Sequence, residues 1–357
     1  MTNTPEVVLA SGGAPPRHDG RAAGPVAFKD AFAFAFAAGD VDAAPLEQYD
    51  AVVSAMPARV SHGTKMRQNQ GYWVLDAFAR GAVAMQRGGF APRAGDVLIA
   101  SLPKSGTTWL RALAFATMAR RASPPASPDH PLRRLNPHDC VPYLDMLFAV
   151  GRGAVVDALP SPRLMGTHMA LSLLPPTVVD GTSGCKIIYI CRDQKDVLVS
   201  MWHFLKRNGR QDLSLQEVYD SFCEGTCFQG PVWDHILEYW KASNEDPARV
   251  LFLRYEQVLQ DPAGTVRELA RFVGQPFTGA EEDAGAVADI VELCSLESLR
   301  SQRANREGAQ GVFAKFSHES YFRKGVAGDW MSHMSPEMGE RLDGILRERL
   351  DGSGLVL

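Results

Sequence analysis

Apolar positions in this chain fall into short unbroken runs and into longer stretches with a helical period. Asp96–Ser101 (DVLIAS) is a run of the first kind, ending in small and turn-forming residues, and it predicts a strand buried in a parallel sheet. After the turn Pro103–Gly106, the residues Trp109, Leu110, Leu113, Phe115 and Met118 recur at helical spacing. The segment SPPASP at 123–128 ends that helix. The same order then repeats. Cys185–Ile190 (CKIIYI) leads through Cys191, Arg192 and Asp193 into a helix over Lys195–Lys206. Asp193 is its expected N-cap, and Asp196 adds negative charge to the first turn. Val250–Arg254 (VLFLR) precedes a helix carrying Val266, Leu269, Ala270 and Val273. Strands alternating with helices predict an α/β fold, a single three-layer domain with a central parallel sheet covered on both faces.

The flanks are less patterned. Residues 1–45, rich in Ala, Gly, Pro and Asp, hold no sustained period and predict a poorly ordered extension before a domain over 46–357. Gln70–Val83, with three aromatic residues, starts the folded body. Ser301–Gly328 is polar and aperiodic, and predicts a long loop with a task of its own. The chain has no internal repeats.

A formal net charge of −4 and a pI near 6.2 lack the basic excess of a nucleic-acid binder. They leave room for an anion site, which needs only a few local cations and donors. The six cysteines, Cys140, Cys185, Cys191, Cys223, Cys227 and Cys294, form no CxxC pair and read as reduced thiols of a cytoplasmic protein. The first residues show neither the basic start nor the apolar core of a signal peptide, and AFAFAFAA at 31–38 is too short to span a bilayer. No membrane association is expected.

The chemistry is concentrated at Pro103-Lys104-Ser105-Gly106-Thr107-Thr108-Trp109. A glycine-containing turn between strand and helix points backbone N–H groups at one spot, and the helix N-terminus adds partial positive charge. Lys104 adds a full charge, and Thr107 and Thr108 add hydroxyl donors. The implied ligand is a phosphate or sulfate. The order differs from the nucleotide-triphosphate P-loop, whose lysine follows its last glycine. Arg192, just after a predicted strand, suits a phosphate through bidentate hydrogen bonds, with Ser200 two turns further along the helix. Alone, Arg192 and Ser200 read more readily as a capped helix with a surface arginine than as a ligand site. Arg323-Lys324-Gly325 alone reads as a solvated loop.

Taken together, these segments resemble the cytosolic sulfotransferase family. PKSGTTWLRAL looks like its 5′-phosphosulfate loop, Tyr189–Ser200 its 3′-phosphate segment, and Phe322–Trp330 its C-terminal signature. Thr167-His168, followed by Leu173-Leu174-Pro175, is similar to the stretch holding its catalytic histidine. The segments run in the family's order from about residue 60 to the end, and NQGYW, SPRLMGTH and CSLESL favour its plant branch.

The resemblance implies a transferase acting on 3′-phosphoadenosine 5′-phosphosulfate (PAPS) and a small hydroxylated acceptor, releasing adenosine 3′,5′-bisphosphate (PAP). Lys104, Ser105, Gly106, Thr107 and Thr108 would then surround the phosphosulfate, and Arg192, Ser200, Arg323, Lys324 and Gly325 the 3′-phosphate, with Phe322 also at the nucleotide. Tyr255 would contact the nucleotide, as would the segment of Cys294 and Ser295, with Trp109 either stacked on the purine or part of the core. His168 would be the general base, and Lys104 would steady the leaving phosphate. No metal is called for. Tyr72, Trp73, Tyr143, Leu144, Leu174 and Phe204 fall in segments that line the family's acceptor pocket, suited to a phenol, flavonoid, steroid or terpenoid. Only the final Glu of the animal relatives' dimer motif survives, at Glu340, which implies a monomer. The alternatives are a P-loop small-molecule kinase and a non-catalytic nucleotide-binding protein.

Overall fold

The computed structural model describes residues 24–31, 44–311 and 313–357. An antiparallel meander opens the main body: β1 (Ala58–Ser61), β2 (Thr64–Asn69) and β3 (Tyr72–Leu75), leading into α1 (Asp76–Ala84). The central sheet is built from β4 (Val97–Ala100), β5 (Leu164–Thr167), β6 (Lys186–Cys191) and β7 (Val250–Arg254). All four strands run parallel, in the order β5-β4-β6-β7.

Alternate side chains of these strands feed two cores. On one face Val97, Ile99, Ile188 and Ile190 pack against α2 (Thr107–Ala119), α6 (Pro262–Phe272) and α7 (Ala286–Leu293). On the other, Leu98, Ile187 and Tyr189 pack against α4 (Gln194–Arg207), α5 (Val232–Glu245) and α8 (Pro336–Leu350). That is the three-layer arrangement expected from the unbroken apolar runs. A short helix, α3 (Leu144–Ala149), packs on α1.

The chain leaves β4 towards β5 on one side and later builds β6 and β7 on the other. The strand order therefore reverses at β4 and β6, and α/β sheets hold ligands beyond the carboxyl ends of strands at such a point.

Three expectations change in detail. The stretch before His168, with Pro162 and Gly166, reads as loop, yet Leu164–Thr167 is strand β5. Residues 301–328 contain a helical turn at Arg303–Arg306 and a two-stranded ribbon, β8 (Ala309–Gln310) and β9 (Phe316–Ser317). Within the predicted N-terminal extension, residues 1–23 and 32–43 lie outside the described residues. Residues 24–31 pack on the domain, with Ala27 buried and Asp30 bonded by Arg134.

Candidate active site

Every strand of the sheet delivers a residue to one cavity of about 1280 Å3 at its carboxyl edge: Lys104 after β4, His168 after β5, Arg192 after β6 and Tyr255 after β7.

The turn after β4 is shaped by two left-handed residues, Lys104 (φ +71°) and Gly106 (φ +102°). Glycine is required at the second, because a Cβ there would lie 2.6 Å from the Tyr255 ring. Ser101 and Thr107 close the turn with a hydroxyl pair at 2.6 Å. No side chain caps α2 and no acidic residue sits in its first turn, so its N-terminus presents N–H groups with an unopposed dipole. The Ser105 hydroxyl is buried without a hydrogen-bond partner.

The turn after β6 supplies Arg192. Its guanidinium lies 4.6 Å from the centroid of the Tyr255 ring, and its Nη2 donates to the Val326 carbonyl at 2.8 Å. Asp193 caps α4 by accepting from the Lys195 N–H. Asp196 is turned inward, where it accepts from the backbone N–H groups of Gly328 and Trp330 and pairs with Arg192. This carboxylate ties the C-terminal signature to α4 and brings Arg323 and Lys324 to the crevice, both bonded to Asp329. The Nε atoms of Arg192 and Arg323 are buried without partners. Buried donors rarely stay unpaired in a native protein. Two such guanidinium N–H groups beside an open helix N-terminus fit a ligand with two phosphate-like anions.

Lys104 lies over the Phe204 ring, 4.1 Å from its centroid. Burial, reinforced by Arg192, Arg323 and Arg207, brings its ammonium down to about 7. An anion placed there reverses the repulsion and raises it again. At pH 8.5, where phosphate esters are already dianions, binding of the bisphosphate PAP that the resemblance implies should therefore take up close to one proton. As the pH falls through 7, Lys104 becomes charged before binding and its contribution fades. Calorimetry in buffers of different ionisation heat measures this, and zero uptake by the wild type at pH 8.5 would contradict it.

His168 is held from several sides. Its Nδ1 lies 2.8 Å from the Ser101 carbonyl, which can only accept, so Nδ1 carries the proton and Nε2 keeps a lone pair. Burial, then the nearby Arg111 charge, hold the imidazole down to about 3, so it is neutral at physiological pH. Its backbone N–H donates to Asp145, and its carbonyl accepts from His235 Nε2. Tyr143 stands 5.0 Å away, ring to ring. Nearby, Thr108 Oγ1, His138 and Arg111 form a hydrogen-bonded chain of 2.9 and 2.5 Å that sequence reasoning missed.

The cavity gathers Lys104, Gly106, Thr107, Thr108, Trp109, His168, Arg192, Ser200, Tyr255 and Phe322–Gly325. Ser105 lies beneath the turn, and of the expected pair Cys294 is core while Ser295 lines the cavity. Trp109 packs edge-on to Tyr255 and lines the cavity. Of the expected acceptor residues, Tyr143 and Phe204 line the cavity. Leu144 and Leu174 are fully buried core. Tyr72 points away and bonds Glu238, and Trp73 packs against Arg59. The aromatic walls come instead from Phe78, Phe222, Phe228, Phe313 and Tyr321.

Residues 94–354 match the Sulfotransferase domain family. Cytosolic sulfotransferase 8 of Arabidopsis thaliana is 43% identical over 87% of this chain and 93% of its own length. A crystal structure of an Arabidopsis thaliana sulphotransferase, 34% identical, superposes with a TM-score of 0.69 over 89% of this chain and 98% of its own. Retinol dehydratase, at 21% identity and a TM-score of 0.66 over 88% and 97% of the two chains, shares the fold. The chain belongs to the sulfotransferase family and is a PAPS-dependent enzyme. No helix among the described residues is long and apolar enough to cross a membrane.

Proposed function

We propose that this protein moves the sulfuryl group of PAPS to a hydroxyl of a small phenolic, flavonoid, steroid or terpenoid-like acceptor, as a cytoplasmic monomer. The observation that carries the reading is one crevice holding an open helix N-terminus, two buried unpartnered guanidinium N–H groups and a neutral imidazole with its Nε2 lone pair available. PAPS, when bound, supplies a sulfuryl group activated by its link to phosphate. The turn Lys104–Thr108 holds the 5′ side of the nucleotide, and Trp109 and Tyr255 flank the purine. Arg192, Ser200 and Arg323–Gly325 hold the 3′-phosphate. His168 Nε2 takes the proton from the acceptor hydroxyl as that oxygen becomes nucleophilic. Lys104 meets the charge that grows on the departing phosphate. The aromatic lining supports a flat acceptor, and the curated relatives are named as cytosolic enzymes.

The test is thermal. PAP should raise the melting temperature by several degrees, since a ligand at a hundred times its Kd stabilises by about 2.7 kcal/mol. AMP, lacking the 3′-phosphate, should do much less. Equal shifts would refute the roles of Arg192 and Arg323–Gly325.

A further inference from the structure

The donor's anions leave one fully buried cation of the cavity unaccounted for. Arg111 sits four residues beyond Thr107, on the same face of α2, and is fully buried. Its Nη1 donates to His138 Nδ1, while Nε and Nη2 have no hydrogen-bond partner. Among the described residues no carboxylate lies within ion-pair distance of it. Asp145 is nearby but committed, one oxygen to the Thr167 hydroxyl and the other to the His168 N–H.

A buried guanidinium with two unpaired N–H groups and no carboxylate in direct contact is costly. The fold nevertheless makes room for this one: a Cβ on Gly166 would stand 2.3 Å from Arg111 Nη2, so β5 carries glycine where the guanidinium lies. The guanidinium is 5.6 Å from the centroid of the Tyr143 ring, whose other neighbour is His168. This places the charge at the acceptor end, beside the imidazole. The wider cavity has the same bias. Lys65, Arg207, Arg210 and Lys315 line it in addition to the nucleotide's cations, and Asp76 is the one carboxylate lining it among the described residues.

We propose that Arg111 is the counter-ion of an acidic acceptor, a hydroxylated small molecule whose carboxylate, or comparable anion, rests on this guanidinium while its hydroxyl faces His168. The inference rests on the sulfotransferase reading and narrows the acceptor class. A charge-assisted hydrogen bond to a desolvated guanidinium is worth roughly a tenfold to hundredfold change in affinity.

The experiment pairs 3-(4-hydroxyphenyl)propionate and its shorter and longer homologues with their methyl esters, whose phenols are electronically alike. For at least one pair the wild-type enzyme should show a kcat/KM about tenfold or more higher for the acid. In Arg111→Met that ratio should fall close to one, and Arg111→Lys should restore part of it. The proposal is overturned if the wild type treats every acid and ester alike, a comparison that needs no variant to fold. It is also overturned if Arg111→Met keeps the ratio while slowing both, which would assign the guanidinium to the sulfuryl group or to His168. Absence of turnover on acids, esters and simple phenols alike, with no melting shift from PAP, would instead remove the sulfotransferase reading beneath it.

Discussion

Replacing His168 by glutamine should lower turnover by about 10² to 10⁴ while leaving PAP affinity near normal. The glutamine amide can still donate to the Ser101 carbonyl, as His168 Nδ1 does, and it fills similar volume. It offers no basic lone pair. The acceptor hydroxyl must then attack with its proton in place, which penalises aliphatic alcohols more than acidic phenols. His168 follows β5, on the far side of β4 from the turn carrying Arg192, so the nucleotide should not feel the change. Turnover measured beside calorimetric PAP binding separates base from space-filler. A glutamine variant that keeps most of its turnover would sink the general-base assignment.

The next largest effects should divide between two cations. Lys104→Ala should lower kcat by roughly 10² to 10³, because its ammonium meets charge that develops only as the phosphate departs. Arg323→Ala should raise the KM for PAPS by about tenfold to hundredfold with a much smaller change in kcat. A non-reacting 3′-phosphate is held equally in ground and transition states, so its loss is one of uniform binding. Steady-state kinetics in PAPS distinguishes them. A Lys104→Ala enzyme altered only in KM would overturn the division.

Much of the scaffold was legible because buried parallel strands write themselves as unbroken apolar runs. Val97–Ala100, Lys186–Cys191 and Val250–Arg254 are all central or doubly covered. Strand β5 escaped because Pro162 and Gly166 look like loop signals, whereas Gly166 is small for the sake of Arg111. Asp196 reads locally as dipole compensation, and only the tertiary fold shows it binding Gly328 and Trp330. His138 and Arg111 had no local signal either, since their meaning lies in contacts across the crevice. The lining of the cavity was the least readable part. Nothing in the residue type of Leu144, Leu174 or Tyr72 separates a pocket wall from a core. The turn after β4 stood out because a glycine, a lysine and paired threonines share one short segment.

The most direct measurement is transfer itself: the purified protein with PAPS labelled in its sulfuryl group and a panel of phenols, alcohols and hydroxy acids, followed by mass detection. The account predicts acceptor-dependent release of PAP together with a product heavier by one sulfuryl group, carrying the label. Label that stays in PAPS across the whole panel, while PAP still raises the melting temperature, would contradict it and leave a nucleotide-binding protein without transferase activity.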